Sequence, residues 1–138
     1  MSHITTIDVE LMDEAVLVQA AENLGLERRD VQHYREYYSA NSSRNKCDFA
    51  LGVKGHPEAY EIGVTRKDGR LVLAFDTHGG GGGLLHRTQN VVDGKLNGPM
   101  SKLVQEYSKL IAIRELRRKG YMVRESKNSN GEVVLMAV

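Results

Sequence analysis

The segment Phe75-Asp76-Thr77-His78-Gly79-Gly80-Gly81-Gly82-Gly83-Leu84-Leu85-His86-Arg87 gathers the residue types best suited to hold an anion. A glycine-rich turn after a strand exposes backbone N–H groups and lets a phosphate approach closely. Asp76, His78, His86 and Arg87 would add polar and charged groups around it. The spacing is neither G-x-G-x-x-G nor the phosphate loop that ends in Gly-Lys-Ser/Thr. Five glycines are also expensive to order. The run therefore reads first as a connector, and second as a loop that a ligand or partner orders.

Arg114 is the next candidate. At 100° per residue it falls on the apolar stripe of Leu103, Tyr107, Leu110 and Ile111. A guanidinium there needs a carboxylate, carbonyls or an anionic ligand. An internal carboxylate is the first reading, with Asp8, Glu10 or Asp76 as partner, and an anion site or subunit contact is the second. Arg118 lies further along the same basic end. Residues 101–119 carry six basic and two acidic side chains, a net of +4, whereas residues 1–26 carry five acidic residues and no Lys or Arg. Basic residues at a helix C-terminus also offset its dipole, which is the plainer account.

Tyr34, Tyr37 and Tyr38 stand beside Arg28, Arg29 and Arg35. Basic and aromatic residues interleaved in this way can stack single-stranded bases. Amphipathic tyrosines on a partly exposed sheet face, suited to protein contact, are the preferred reading. The five histidines, His3, His33, His56, His78 and His86, show no metal-ligand spacing, and Cys47 has no partner thiol, so no metal is expected. No paired-carboxylate, Ser-His-Asp or Cys-His arrangement is legible, and no cofactor is implied.

These residues must be held by secondary structure. Alternation of Ile7, Val9 and Leu11 with Asp8 and Glu10 predicts a first strand. Asp13 then caps a helix carrying Val16, Leu17, Ala20, Ala21 and Leu24, which Gly25 ends. Residues Leu26 to Tyr38 read as a strand, with a helix as the alternative. Cys47–Val53, Tyr60–Val64 and Leu71–Phe75 alternate as a meander with Asp68-Gly69 as a hairpin turn. Ser101 is expected to cap a second helix that Gly120 stops. Tyr121–Glu125 and Val133–Val138 close the chain around the turn at Asn130-Gly131. The reading is a single α+β domain over residues 1–138, order β-α-β-β-β-β-α-β-β. Its sheet is mainly antiparallel, with two helices on one face. About 77–100 is a glycine-rich irregular insertion, in which Leu84–Val92 could form a short helix.

Composition narrows the function classes. The chain has 138 residues, 41% hydrophobic and 27% charged, which is ordinary globular usage. A formal charge of +1 argues against a clamp for duplex nucleic acid. No apolar run reaches the length that spans a bilayer. The opening Met1–Thr6 has neither the basic nor the apolar segment of a secretion signal, and one cysteine suits a reducing compartment, so a cytoplasmic location is expected.

The ends of the chain carry a family resemblance. Met1-Ser2-His3 opens into Ile4-Thr5-Thr6-Ile7, and the first helix closes on Asn23-Leu24-Gly25-Leu26. A second helix starts at Gln105-Glu106-Tyr107 and ends Lys119-Gly120-Tyr121, followed by Val123-Arg124-Glu125 and Asn130-Gly131-Glu132-Val133-Val134-Leu135. This resembles the family of short proteins known as domain of unknown function 1257, like the conserved plastid open reading frame 35, with members in plastids, cyanobacteria, other bacteria and phages. The resemblance covers about the first quarter and last third of the chain. It implies an intracellular α+β domain and brings no catalytic residues. The expected function is a small non-catalytic binding or adaptor protein acting through a protein partner or as a homo-oligomer, with Tyr34, Tyr37, Tyr38 and Arg118 on the contact surface. The alternative is a binder, even a sequestering one, of a nucleotide-like anion held by Asp76, His78, Gly79–Gly83, Arg87 and Arg114. An enzyme using Asp76, His78 or His86 is the weakest reading.

Overall fold

In the first helix, Glu14–Asn23 (α1), the Asp13 side chain accepts the Val16 N–H at 3.1 Å, as an N-cap should. Gly25 ends it at φ +83°. The computed structural model describes residues 4–37, 40–77, 83–89, 91–92, 95–96, 100–129 and 133–137. The strand Ile4–Leu11 (β1) precedes α1, and Leu26–Arg29 (β2), Phe49–Val53 (β3), Ile62–Lys67 (β4) and Arg70–Asp76 (β5) follow. These five strands form one antiparallel sheet, ordered β1-β5-β4-β3-β2. Asp68 and Gly69, both at positive φ, make the β4–β5 turn as expected. Leu84–Thr88 is a short helix (α2) inside the insertion, next to the two-residue strands Val91–Val92 (β6) and Lys95–Leu96 (β7). Ser101–Arg118 (α3) leads to the hairpin Val123–Lys127 (β8) with Val133–Ala137 (β9), a separate two-stranded sheet. The architecture is α+β, in the expected order, with the short elements added in the insertion. No helix among the described residues is long and apolar enough to cross a membrane.

Strand register sorts the sheet into two faces. Phe49, Leu51, Val53, Ile62, Val64, Leu71, Leu73 and Phe75 share one face and pack with Leu17, Ala20 and Ala21 of α1 and Leu103 and Tyr107 of α3. Both long helices therefore lie on that face. The Tyr107 hydroxyl accepts the N–H groups of Met12 and Asp13, each at 3.0 Å, and so ties α3 to the start of α1.

Three expectations change. Strand β2 stops at Arg29, where the Val31 N–H donates back to the Arg29 carbonyl. Residues 31–37 are not strand; they cross the second face of the sheet, linked to the chain at 45–47 by a single bridge between His33 and Lys46. The second face is thus covered too, and every residue of β3 is buried, so the small residues that alternate with its large ones (Ala50, Gly52) lie under a cover rather than on a wet face. The third change is at α3: its N-cap is Met100, in the left-handed region at φ +57° and without a side-chain cap, while Ser101 is already helical.

Arg114 does have an internal carboxylate partner, but it is Asp13, the cap of α1, rather than Asp8, Glu10 or Asp76. The Arg114 N–H, then that of Val16, holds the Asp13 carboxyl below its ordinary 3.8. A lowered folded-state pKa gives stability that is complete above the unfolded value and lost as pH falls through the folded one. Asp13→Ala is expected to cost about 1 kcal/mol at neutral pH, mostly as a lost cap. In acid titrations monitored by urea unfolding, the gap between variant and wild type should close below 3.8. A gap that persists there would rule out the carboxylate as its source.

Candidate functional site

Two glycines shape the covered face. A Cβ on Gly63 would sit 2.2 Å from Cδ1 of Tyr34, and one on Gly52 would sit 2.3 Å from the Arg29 guanidinium carbon. Each glycine thus gives a large flat side chain room to lie on the sheet. Tyr34 is 1% exposed and forms a small second core with Cys47 and Ala50. Its hydroxyl is buried without a hydrogen-bond partner among the described residues, and burial, with the nearby Glu36, pushes its pKa to about 12. Burial likewise raises the Cys47 thiol to about 11, so it is a structural residue.

Arg29 lies against Gly52 and spends its donors locally. Nη1 donates to Glu61 Oε2 at 2.9 Å, and Nη2 donates to Glu27 Oε1 at 3.1 Å and to the Val53 carbonyl at 3.0 Å. Glu61, nearly buried, accepts the Arg35 N–H on its other oxygen at 2.7 Å. The Asn45 amide holds the crossing segment by donating to the Tyr34 carbonyl at 3.2 Å and accepting the Ser42 N–H at 2.9 Å. Above this floor is an open cavity of about 550 Å³, with His33, Arg35 and Asn41 on its walls. That is within the size range of small-molecule sites. A cavity floored by an ion pair costs desolvation that apolar packing would avoid, which marks it as a candidate site.

The expected site residues do not converge here. Asp76 is fully buried and accepts the Tyr37 N–H at 2.9 Å. Arg87 turns back to the Gly83 carbonyl at 3.2 Å. Arg114 is across the sheet, with Asp13. His78, Gly79–Gly82 and Tyr38 lie outside the described residues. Tyr34 is a core residue and not part of a contact surface, because Gly63 opens a slot for it. Tyr37 is exposed, and Arg118 is exposed beside Glu115. Strand alternation sends Arg28 to the helix face, over the Phe49 ring at 4.1 Å and bonded to Glu14, while Arg29 goes to the other. Among the described residues the basic–aromatic interleaving therefore presents no single stacking face. The described residues contain no group of three or more metal-ligating side chains.

A second feature is at the C-terminal end. The hairpin turns Val123, Val133 and Leu135, half-buried, toward α3, where Lys109 bonds Glu125 at 3.1 Å. Its other face leaves Val134 and Met136 exposed, with Tyr121 and Met122 (73% exposed) beside it. Neither strand has a second strand partner among the described residues.

Comparisons with protein-family models, curated proteins and solved structures find no match to this chain.

Proposed function

We propose that this protein is a non-catalytic binding module whose C-terminal hairpin docks on another protein surface, and that a second copy of the chain is the first such partner. The observation that carries this reading is the exposure of Val134 and Met136 on one face of the hairpin, opposite Arg124 and Ser126, with exposed Tyr121 and Met122 just before it and no further strand partner among the described residues. Strand β9, Val-Val-Leu-Met-Ala, has no charge to guard its edge, whereas β8 has Arg124, Glu125 and Lys127. Antiparallel pairing of β9 with its own copy needs only self-complementarity, as a two-fold axis supplies. It would also give the isolated two-stranded sheet the additional strands that such sheets need for stability. Kinship with the plastid and phage family of unknown function is proposed on the terminal motifs alone, and it supplies no activity.

Light scattering on the eluting protein at micromolar concentration tests this. The wild type should run as a dimer, and Val134→Lys or Met136→Lys, each at an exposed position, should run as a monomer with unchanged circular dichroism. A monomeric wild type would overturn the second-copy reading. A dimer untouched by both variants would move the interface elsewhere.

A further inference from the structure

We infer that the cavity over the second face of the sheet binds a planar, amino-bearing heterocycle joined to an anionic group, and that a nucleoside monophosphate fits this description. The inference is independent of the hairpin. The Arg29 guanidinium lies with one face against Gly52, so its other face is the one that can line the cavity. A guanidinium plane is a stacking surface for a base. Its ion pairs with Glu61 and Glu27 and its bond to the Val53 carbonyl fix that plane before any ligand arrives.

Charge then orients the ligand. At the floor, Arg29 is outnumbered by Glu27 and Glu61. Glu27 uses only Oε1 on Arg29, and Oε2 is available to an exocyclic amino group. An anionic group is repelled from that end. On the wall, the Arg35 side chain is exposed and the His33 ring is half-buried, and neither guanidinium nor imidazole has a hydrogen-bond partner among the described residues. Arg35 is anchored through its backbone to Glu61 in both directions, by N–H to Oε1 at 2.7 Å and by carbonyl to the Glu61 N–H at 2.9 Å. The phosphate-binding cation is therefore held beside the base-binding floor.

Isothermal titration of the whole chain with AMP, UMP, adenosine and inorganic phosphate tests the inference. AMP should bind about tenfold or more tightly than adenosine or phosphate alone, since each lacks one end of the site. UMP, which presents a carbonyl where AMP has its amino group, should be weaker, and Glu27→Gln should bring the two closer. Arg35→Ala, at an exposed side chain, should weaken AMP about tenfold while leaving adenosine unchanged. No AMP binding at millimolar concentration would overturn the inference. So would AMP binding that ignores Arg35→Ala, or phosphate binding as tightly as AMP. Oligoadenylate binding far more tightly than AMP would replace the free nucleotide with a single strand and overturn the assignment.

Discussion

Gly63→Ala will cost about 3 kcal/mol of folding stability, lowering the melting temperature by about 10 °C. The new methyl group would meet Cδ1, Cε1 and Cγ of Tyr34 at 2.2, 2.6 and 2.9 Å. Those atoms belong to a rigid ring that is fully buried, and the backbone beneath it is β4 at a residue paired on both sides, with Ala50 and Ala74. Neither partner can yield without opening the cover formed by residues 31–37. Gly52→Ala is the matched control. It meets the Arg29 guanidinium instead, which Glu61, Glu27 and the Val53 carbonyl hold in place, so its cost should be relieved by Arg29→Ala and left unchanged by Tyr34→Ala. Tyr34→Phe should not rescue Gly63→Ala, because the clash is with the ring and not with the hydroxyl. A double-mutant cycle with Tyr34→Ala should show coupling of opposite sign to the single losses. A Gly63→Ala loss that Tyr34→Ala leaves in full, read by chemical denaturation, would refute this account of the covered face.

The same two glycines show what the sequence hides. The helix face was legible because Phe49, Leu51 and Val53 alternate with smaller residues, and because Asp13, Gly25 and Asp68-Gly69 act through local geometry. Those are period-two and turn signals, which need no tertiary knowledge. The second face was not legible. Gly52 and Gly63 look like weak points in strands, and only the folded chain reveals that Arg29 and Tyr34 fill the space they leave. Tyr34, Tyr37 and Tyr38 read as one cluster by spacing, yet an irregular segment buries the first and exposes the second. Sequence spacing points Arg114 to Asp8, Glu10 or Asp76, and the Tyr107 hydroxyl explains why its partner is Asp13: it clamps the start of α1 onto α3 about two turns before Arg114. The candidate site is hidden in the sequence for the same reason. Glu27, Arg29, Arg35 and Glu61 are scattered charges in the sequence, with no motif spacing, and become a floor and wall only when residues 31–37 leave the strand. The one available signal is a glycine on β3 diagonal to a β2 arginine, Gly52 being registered with Glu27 and Arg29 with Ala50.

Glu61→Ala is the other large effect expected, at about 3 kcal/mol. Breaking a buried ion pair by deleting one member costs about 3–5 kcal/mol, because the remaining charge stays buried, and the low end applies since Arg29 retains some solvent contact and Glu27. Glu61 also accepts the Arg35 N–H, so the truncation orphans a backbone donor as well as a guanidinium. Glu61→Gln separates the two contributions. Its amide oxygen can still accept from Arg35, while the charge that balances Arg29 is gone, so it should lose about half as much. Replacing Arg29 and Glu61 together by leucine should recover stability relative to Glu61→Ala, as apolar substitutes for buried ion pairs often do. Such a variant folds without the polar floor. If the sequence keeps that floor although a cheaper apolar one would hold the fold, then its charges serve recognition. Urea unfolding of the three variants decides the first part: a loss below about 0.5 kcal/mol in Glu61→Ala would show that Arg29 finds other partners at no cost. Titrating the leucine pair with AMP decides the second, since a folded protein that no longer binds would separate the role of these charges from the stability of the sheet beneath them.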